Sequence, residues 1–291
     1  MVAFAAFRWL VRVLSGWRLR RFRAVDWAYN RAFDRLRPPF ARVGGHVVHV
    51  DPHDRVFAQG LLVRGAHEPF ETELFEGALG PGQVVFCLGA HVGYYALLAA
   101  RGVGPRGRVY AFEPSPDTFR LLVRNLETNG YANVTAVPKA VSNFTGPGRL
   151  YLNAEHNTGD HQIYPGGGAR RSVDIEVVRL DDWVRGREAV ADVILMDLQG
   201  AEMLALEGMD ELLSRSPAVR IFTELWPDGL RQAGRSVDAY LARLTGLGFR
   251  LSVIDESARR LVPLAGVEDL GRYRHVLGRP NYALNVLGVR P

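Results

Sequence analysis

Short apolar runs and amphipathic stretches alternate along the chain from residue 84 onward. Apolar runs of about four to eight residues are typical of buried strands, whereas apolar positions three or four residues apart are typical of helices. The pattern predicts strands at 84–88, 108–112, 133–137, 192–197, 218–223, 249–254 and 282–288. It predicts helices at 67–79, 92–101, 115–129, 180–185, 201–214 and 236–247, and a glycine-rich polar loop at 142–179. Strands that alternate with helices predict an α/β fold, in which a mostly parallel sheet carries helices on both faces.

A different pattern precedes this one. Residues 1–37 have the spacing of amphipathic helices and contain nine arginines against two aspartates, and Pro38-Pro39 ends the helical region. The stretch 43–65 predicts two or three short strands. We therefore expect an N-terminal helical and short-strand extension at 1–66 and a main domain at 67–291.

The N-terminal segment leaves two alternatives open. Its apolar runs are interrupted by arginines and are shorter than the ~20 residues that span a bilayer. A secretory signal is not expected, because no basic region precedes the apolar run and no small-residue cleavage site follows it. Either the amphipathic helix packs on the domain or on a second subunit, which would make a homodimer, or residues 1–37 make a peripheral contact with a membrane surface.

Composition narrows the setting and the partners. The chain has 291 residues, of which 47% are hydrophobic, so it can bury a sizeable core. Its formal net charge is +5, and most of this excess lies in the N-terminal segment, so no nucleic-acid partner is expected. Cys87 is the only cysteine, which excludes an intrachain disulfide and fits a reducing, cytoplasmic location, with membrane association left open.

One motif points to a nucleotide ligand. The predicted strand 84–88 runs into Gly89-Ala90-His91-Val92-Gly93, and the next strand ends at Glu113. A strand, a glycine turn, a helix and a second strand ending in an acid form a nucleotide-binding βαβ unit. The glycines permit a tight turn and a close approach to the ligand. The carboxylate of Glu113 is expected to bond the two ribose hydroxyls.

The spacing disfavours a nicotinamide. The dinucleotide pattern is Gly-x-Gly-x-x-Gly, whereas here the glycines are four residues apart and His91 stands between them. The fourth strand ends in Asp197 without a second glycine fingerprint. Acids at the ends of two strands suit a cationic sulfonium, so S-adenosyl-L-methionine is the expected cofactor.

An ordered set of motifs resembles the FkbM family of S-adenosylmethionine-dependent methyltransferases. The set comprises Glu68-Pro69, Gly89–Tyr95, Ala111–Pro116, Asn133–Thr135, Lys139–Ser142, Arg179–Asp182, Met196–Glu202 and Phe222–Leu225. The resemblance implies a Rossmann-like class I methyltransferase fold, with a mostly parallel seven-stranded sheet whose last strand is antiparallel. This chain departs from the family pattern by having Cys87 in place of an aspartate, His91 in place of an asparagine and Gln199 in place of an acid.

The motifs and the resemblance together predict a set of cofactor-binding residues. These are Glu68, Gly89, Ala90, His91, Gly93, Glu113, Pro114, Ser115, Ala140 and Asp197. Two of them have alternatives: Ser115 either closes over the adenosine or caps the following helix, and Asp197 either faces the methyl donor or caps a helix. His91 is a candidate donor to the cofactor carboxylate.

The acceptor side is less determined. Methyl transfer to an alcohol benefits from a base, for which the candidate catalytic residues are His161, Asp197 and Glu224, with His156 as a further histidine of the same loop. No metal site is predicted, and a grouping of His156, Asp160 and His161 is kept only as a minor alternative.

The expected function is O-methylation of a hydroxyl on a small molecule, such as a sugar, a polyketide or another secondary metabolite. The family resemblance suggests this acceptor class. Two alternatives stay open. One is a methyltransferase that acts on a membrane-linked glycolipid or polysaccharide, and the other is a non-catalytic scaffold that binds the cofactor.

Overall fold

The structure is a computed structural model, and it describes residues 2–14, 22–153, 159–165, 170–187, 189–273 and 282–290. The helices are α1 Val2–Leu14, α2 Arg23–Leu36, α3 Val56–Gln59, α4 Pro69–Ala78, α5 Tyr94–Val103, α6 Pro116–Asn129, α7 Leu180–Val184, α8 Glu202–Glu207, α9 Asp210–Ser214, α10 Pro227–Gln232 and α11 Val237–Gly246. The strands are β1 Phe40–Val43, β2 His46–His49, β3 Val84–Leu88, β4 Arg108–Phe112, β5 Val134–Val137, β6 Ala140–Ser142, β7 Gly146–Tyr151, β8 Ser172–Arg179, β9 Val193–Met196, β10 Arg220–Leu225, β11 Arg250–Asp255, β12 Arg260–Leu264 and β13 Leu284–Val289. A π-helical turn, Gly60–Arg64, follows α3, and a 3-10 helix spans Val267–Tyr273.

The central sheet confirms the predicted α/β fold. Its strand order is β12-β11-β13-β10-β9-β3-β4-β5. Strands β5, β4, β3, β9 and β10 are mutually parallel, while β13 runs antiparallel to both β10 and β11. All seven predicted strands are therefore present, and the last one is antiparallel as expected.

An eighth strand extends this sheet at one edge, where the sequence predicted no strand. Strand β12 pairs antiparallel with β11. Three of its five residues are exposed and one of them is Pro263. Proline lacks an amide donor and is tolerated at a sheet edge, so this segment shows only weak strand character in its sequence.

The stretch 142–179 is not the loop that the sequence predicted. Strands β6, β8 and β7 form a three-stranded sheet, in which β8 pairs parallel with β6 and antiparallel with β7. Glycines and a proline in β7 hide its strand character, because these residues are usually depleted in strands. The pairing partners that stabilise it are distant in sequence.

Two further predictions need correction. The hairpin of β1 and β2 accounts for the predicted short strands, but residues 56–64 are helical. The run Leu61-Leu62-Val63 is fully buried, and a short buried apolar run does not distinguish strand from helix. The predicted helix 201–214 is divided into α8 and α9 near Gly208, where a Cβ atom would overlap the carbonyl oxygen of Ser142.

The N-terminal extension shares a hydrophobic core with the main domain. Phe4 and Phe33 from the two N-terminal helices belong to the same buried cluster as Val48, Val85 and Leu97. Asn125 on α6 also exchanges hydrogen bonds with the backbone of His49. The extension is therefore packed on the domain. Within the described ranges, no helix is both long enough and apolar enough to cross a membrane.

The parallel strands place the site. Strands β3, β4, β9 and β10 run in the same direction, so their carboxyl ends meet at one edge of the sheet. Ligands of open α/β sheets bind outside such an edge.

Candidate active site

A cavity of about 310 Å³ lies at the carboxyl ends of these strands. Phe57 and His67 cover it from the N-terminal side, and Leu150 and Ile163 cover it from the side of the small sheet. The predicted site residues that line it are Glu68, Gly89, Ala90, His91, Glu113, Pro114, Ala140, His161, Asp197 and Glu224. The sequence thus brings most of its candidate residues to one place.

Gly93 and Ser115, by contrast, are absent from the described lining. Gly93 has φ +91° and precedes α5, and a Cβ atom there would lie 2.6 Å from Cδ1 of Leu122. Its glycine is required for the packing of α5 against α6. Ser115 caps α6, since its Oγ accepts a hydrogen bond from the backbone N–H of Thr118 at 3.4 Å. Both residues shape the site through their neighbours.

Glu113 is held in place before any ligand arrives. Its Oε2 accepts a hydrogen bond from the backbone N–H of His91 at 2.9 Å, and its Oε1 accepts one from the N–H of Ser115 at 2.8 Å. The side chain is 7% exposed, and burial raises the pKa of Glu113 to about 7 against the effect of these two amides. Each carboxylate oxygen retains a lone pair for a further donor. The group therefore fits the two hydroxyls of a ribose.

The turn after β3 brings two strand ends together. Gly89 has φ +79°, and a Cβ atom at this position would overlap the carbonyl oxygen of Asp197. Only glycine fits there, because of both the left-handed backbone and the close approach. This contact sets Glu113 and Asp197 on opposite sides of the same turn.

His91 is fixed by the N-terminal extension. Its ring meets that of Phe57 edge-on at 4.9 Å, and its Nε2 lies 3.7 Å from Oδ2 of Asp54. Burial lowers the pKa of His91, so its ring is neutral at neutral pH. Phe57 and Asp54 could not be predicted as neighbours of His91, because nothing in the sequence around them indicates a contact with the glycine motif that follows much later in the chain.

Left-handed backbone is concentrated at the cavity. Of the four described residues other than glycine that have positive φ, three line it: Glu68 at +40°, His91 at +50° and Gln199 at +52°. Such conformations cost of order 1–3 kcal/mol each and persist where the surrounding structure enforces them. Because such conformations cluster at active sites and ligand-binding sites, they support the assignment of this cavity as a functional site.

Three carboxylates meet where β9 and β10 end. One oxygen from each of Asp197, Glu202 and Glu224 lies within 4.8 Å of the others. The side-chain Nε2 of Gln199 donates to Oδ1 of Asp197 at 2.6 Å and to Oε2 of Glu224 at 3.3 Å. The sequence placed Asp197 and Glu224 here but gave no role to Glu202, although it stands in the same Asp-Leu-Gln-Gly-Ala-Glu segment.

Burial and mutual repulsion raise the pKa values of these three acids. Asp197 is open to the cavity yet surrounded by protein, and burial raises its pKa to about 6. Burial likewise raises the pKa of Glu202 to about 7. The pKa of Glu224 is raised well above its usual value, by burial first and then by Asp197 and Glu202. Groups that titrate near neutrality can exchange protons with a bound acceptor.

His161 lines the cavity in a specific protonation state. Its Nδ1 accepts a hydrogen bond from the backbone N–H of Asn153 at 3.1 Å, so the neutral ring carries its proton on Nε2. Burial lowers the pKa of His161 to about 4. In this tautomer the Nε2–H of His161 is the group that can donate a hydrogen bond. His156 lies outside the described residues, and with it the predicted alternative grouping of His156, Asp160 and His161.

The cavity is acidic. Glu68, Glu113, Asp197 and Glu224 line it, whereas Lys139 is the only lysine or arginine in the described lining. The Nζ of Lys139 is 2.6 Å from Oε2 of Glu176, which offsets its charge. An acidic cavity with a carboxylate prepared for two hydroxyls fits S-adenosylmethionine, which combines a ribose with a sulfonium.

Comparison with known proteins agrees with this geometry. The family model for the methyltransferase FkbM domain matches residues 88–251, more than half of the chain. Methyltransferase sdnD of Sordaria araneosa is 30% identical over 176 residues, which cover 49% of this chain and 66% of sdnD. Methyltransferase 1 of Beauveria bassiana is 28% identical over 142 residues, which cover 42% of this chain and 57% of that protein. The matches span less than two thirds of either relative.

Solved structures that share part of this arrangement match with TM-scores of 0.39 to 0.46. They include an S-adenosylmethionine-dependent O-methyltransferase from Thermotoga maritima, with a TM-score of 0.41 and 15% identity over 77% of this chain and 64% of that one. They also include Aeropyrum pernix fibrillarin with natively bound S-adenosyl-L-methionine, with a TM-score of 0.43 and 12% identity over 76% of this chain and 74% of that one. The family match begins at the end of β3 and covers the glycine turn, Glu113 and all three clustered carboxylates. The chain belongs to the FkbM family of S-adenosylmethionine-dependent methyltransferases.

Proposed function

We propose that this protein transfers the methyl group of S-adenosylmethionine to a hydroxyl of a small molecule, such as a sugar, a polyketide or another secondary metabolite. One observation carries the proposal: the carboxylate prepared for the ribose, Glu113, lies in the same cavity as carboxylates whose pKa values are raised toward neutrality. The first group holds the donor and the second can take a proton from the acceptor.

The reaction is an in-line displacement at carbon. The acceptor oxygen forms a bond to the methyl carbon while the bond from that carbon to sulfur breaks, and the electron pair goes to sulfur. The hydroxyl proton goes to a carboxylate. Asp197 fits this role best, because it opens to the cavity and its pKa of about 6 leaves it largely ionised at neutral pH.

Other residues of the chain orient the partners. Gln199 holds the carboxylates of Asp197 and Glu224 by one side-chain amide. His161 presents its Nε2–H to the cavity, where it can donate to an acceptor oxygen. Tyr164 donates from its hydroxyl to the backbone carbonyl of Gln199 and thereby fixes the turn that carries these groups.

A transfer assay tests the proposal. The protein is incubated with methyl-labelled S-adenosylmethionine and a panel of polyols, glycosides and phenols, beside matched amines and carboxylic acids. We expect label on oxygen of a hydroxyl acceptor. Transfer only to amines or carboxylates, or cofactor binding with no transfer to any member of the panel, would contradict it, and the latter result would favour the non-catalytic scaffold.

One surface favours a second candidate, a membrane-linked glycolipid or polysaccharide as acceptor. On the outer sides of α1 and α2, Trp9 is 66% exposed and Trp27 is 65% exposed, near the exposed Leu10, Val13 and Phe22. Large exposed aromatic residues among arginines are typical of helices that lie on anionic membranes. A bound membrane would bring a lipid-linked acceptor to the enzyme.

Vesicle binding distinguishes this candidate. The full chain is sedimented with vesicles of anionic or of zwitterionic lipid. Binding to the anionic vesicles that is lost in Trp9→Ala/Trp27→Ala supports the second candidate. If the chain does not bind vesicles, or forms a dimer through this surface, the result contradicts the second candidate and favours a soluble acceptor.

A further inference from the structure

The cluster of Asp197, Glu202 and Glu224 contains a group that the proposed chemistry does not use. Glu202 begins α8 and its side chain is completely buried. Its Oε1 accepts hydrogen bonds from the backbone N–H groups of Leu198 at 2.9 Å and Gly200 at 3.2 Å. Its Oε2 has no hydrogen-bond partner in the part of the chain that the structure describes.

A buried carboxylate oxygen without a partner requires an explanation. Buried polar groups in folded proteins are nearly always satisfied, and an exception points to a functional group, an ordered water or an ion at the site. Here the orphaned oxygen belongs to a residue that already contacts two other carboxylates within 4.8 Å. Three carboxylate groups, each a potential negative charge, are thereby held close together beside the cavity.

We propose that Asp197, Glu202 and Glu224 bind a divalent cation that prefers oxygen ligands, Mg²⁺ or Mn²⁺. The donors are all carboxylate oxygens, the ligands of hard cations. Mg²⁺ binds oxygens at about 2.0–2.1 Å, so its ligands lie at most about 4.2 Å apart. The three oxygens lie within 4.8 Å of one another and would draw closer together around a bound ion. The sequence predicted no metal site, because Glu224 comes from a different strand and the three residues show no recognisable ligand spacing.

The surroundings support this assignment. Gln199 bonds two of the three carboxylates, and Tyr164 in turn holds the backbone of Gln199. Ligand carboxylates are commonly oriented by such second contacts.

The ion would leave a coordination position open toward the cavity, because Asp197 and Glu224 both line it. This part of the inference rests on the proposed function. An acceptor hydroxyl bound at that position would have its pKa lowered, which makes its oxygen a better nucleophile for the methyl group.

Mn²⁺ binding to the full chain tests the inference without any turnover. Free Mn²⁺ is followed by electron paramagnetic resonance at about pH 7.5, above the pKa of about 7 for Glu202, with Mg²⁺ as competitor. Glu202→Gln keeps an oxygen for the two backbone amides and replaces the orphaned oxygen by an amide. Glu211→Gln on α9 removes one exposed acid and serves as the control.

We expect one saturable Mn²⁺ per chain, displaced by Mg²⁺, with affinity weakened at least about tenfold in Glu202→Gln and unchanged in Glu211→Gln. We also expect Mn²⁺ to stay bound when S-adenosylhomocysteine is added. Absence of saturable binding, equal binding by Glu202→Gln, or displacement of Mn²⁺ by S-adenosylmethionine would overturn the proposal. Displacement would assign the cluster to the cofactor's ammonium group instead.

Calorimetric titration of the same samples with S-adenosylmethionine separates the two proposals. Cofactor binding without Mn²⁺ binding removes the cation site and leaves the methyltransferase function intact. Mn²⁺ binding without cofactor binding supports the cation site and contradicts the proposed methyl transfer.

Discussion

Gly89 lies so close to Asp197 that a side chain at Gly89 would overlap the carbonyl oxygen of Asp197. This contact joins the turn after β3, in which the His91 N–H donates to Glu113, to the end of β9, which carries Asp197. The two halves of the site, around Glu113 and around Asp197, therefore meet at one glycine.

Gly89→Ala should destabilise the fold and disturb both halves of the site. It adds an overlap with backbone to the strain of a left-handed φ of +79°. We expect a loss of about 3 kcal/mol or more in the free energy of unfolding, measured by urea denaturation. Gly130→Ala is the control, because φ there is +72° and no atom lies within 4 Å of the added Cβ. It should cost only about 1–2 kcal/mol. Equal losses in the two variants would refute the role of the contact.

Glu113→Ala should weaken cofactor binding severely. The substitution removes two charge-assisted hydrogen bonds to the ribose, which corresponds to roughly 2–4 kcal/mol of binding free energy. The affinity for S-adenosylhomocysteine is measured by calorimetry, with Glu127→Ala on the exposed face of α6 as control. Affinity of the Glu113 variant equal to that of the wild type would rule out the ribose assignment.

The contribution of Glu113, Asp197 and Glu202 to the stability of the protein without cofactor or cation should decrease as the pH rises. Folding raises the pKa of Glu113 to about 7, that of Asp197 to about 6 and that of Glu202 to about 7. Protons are then bound more tightly in the folded chain than in the unfolded one, so this contribution is complete below the unfolded values near 4 and is lost as the pH rises through about 6 to 7. Histidines whose pKa values folding lowers, such as His91 and His161, contribute in the opposite direction. Urea denaturation of the wild type and of Glu202→Gln between about pH 5 and pH 8 therefore isolates the contribution of Glu202 as the difference between the two. We expect the wild type to lose stability relative to Glu202→Gln as the pH rises, and a difference that stays constant or changes in the other direction would contradict the assignment.

The pH dependence of turnover should identify the base. If Asp197 accepts the proton, the acid limb of kcat/KM lies near pH 6 when divalent cations are removed by a chelator, whereas a limb near pH 4 would belong to His161. Asp197→Asn should remove the limb. His161→Ala should lower the rate by loss of a donor and leave the position of the limb unchanged. A limb that moves in the His161 variant would return the base role to this histidine.

The parts of the site that could be predicted from sequence are those formed by local chain geometry. Gly89, Glu113 and Asp197 each stand at the end of a buried apolar strand, and parallel strands bring such ends to one edge. Phe57 was missed because it reaches the cavity from a distant element, and Tyr164 because nothing near it in sequence indicates its contact with Gln199. Glu202 lies in the same segment as Asp197, but its position near Glu224 depends on the pairing of β9 with β10. Strand β7 was missed for the same reason, since its glycines carry no strand signal and its partner β8 lies beyond a loop.

For His161, the sequence predicted the position but not the protonation state. Its position in the cavity agrees with the sequence hypothesis, but its protonation depends on a hydrogen bond from Asn153 that no spacing rule contains. Cys87 is completely buried in β3, and burial raises the pKa of its thiol to about 12.

Calorimetric titration of the full chain with S-adenosylmethionine, S-adenosylhomocysteine and NAD measures directly which cofactor this cavity binds. We expect micromolar binding of the first two, one molecule per chain, and no binding of NAD. Failure of both sulfur ligands to bind, or binding of NAD with equal affinity, would contradict this expectation.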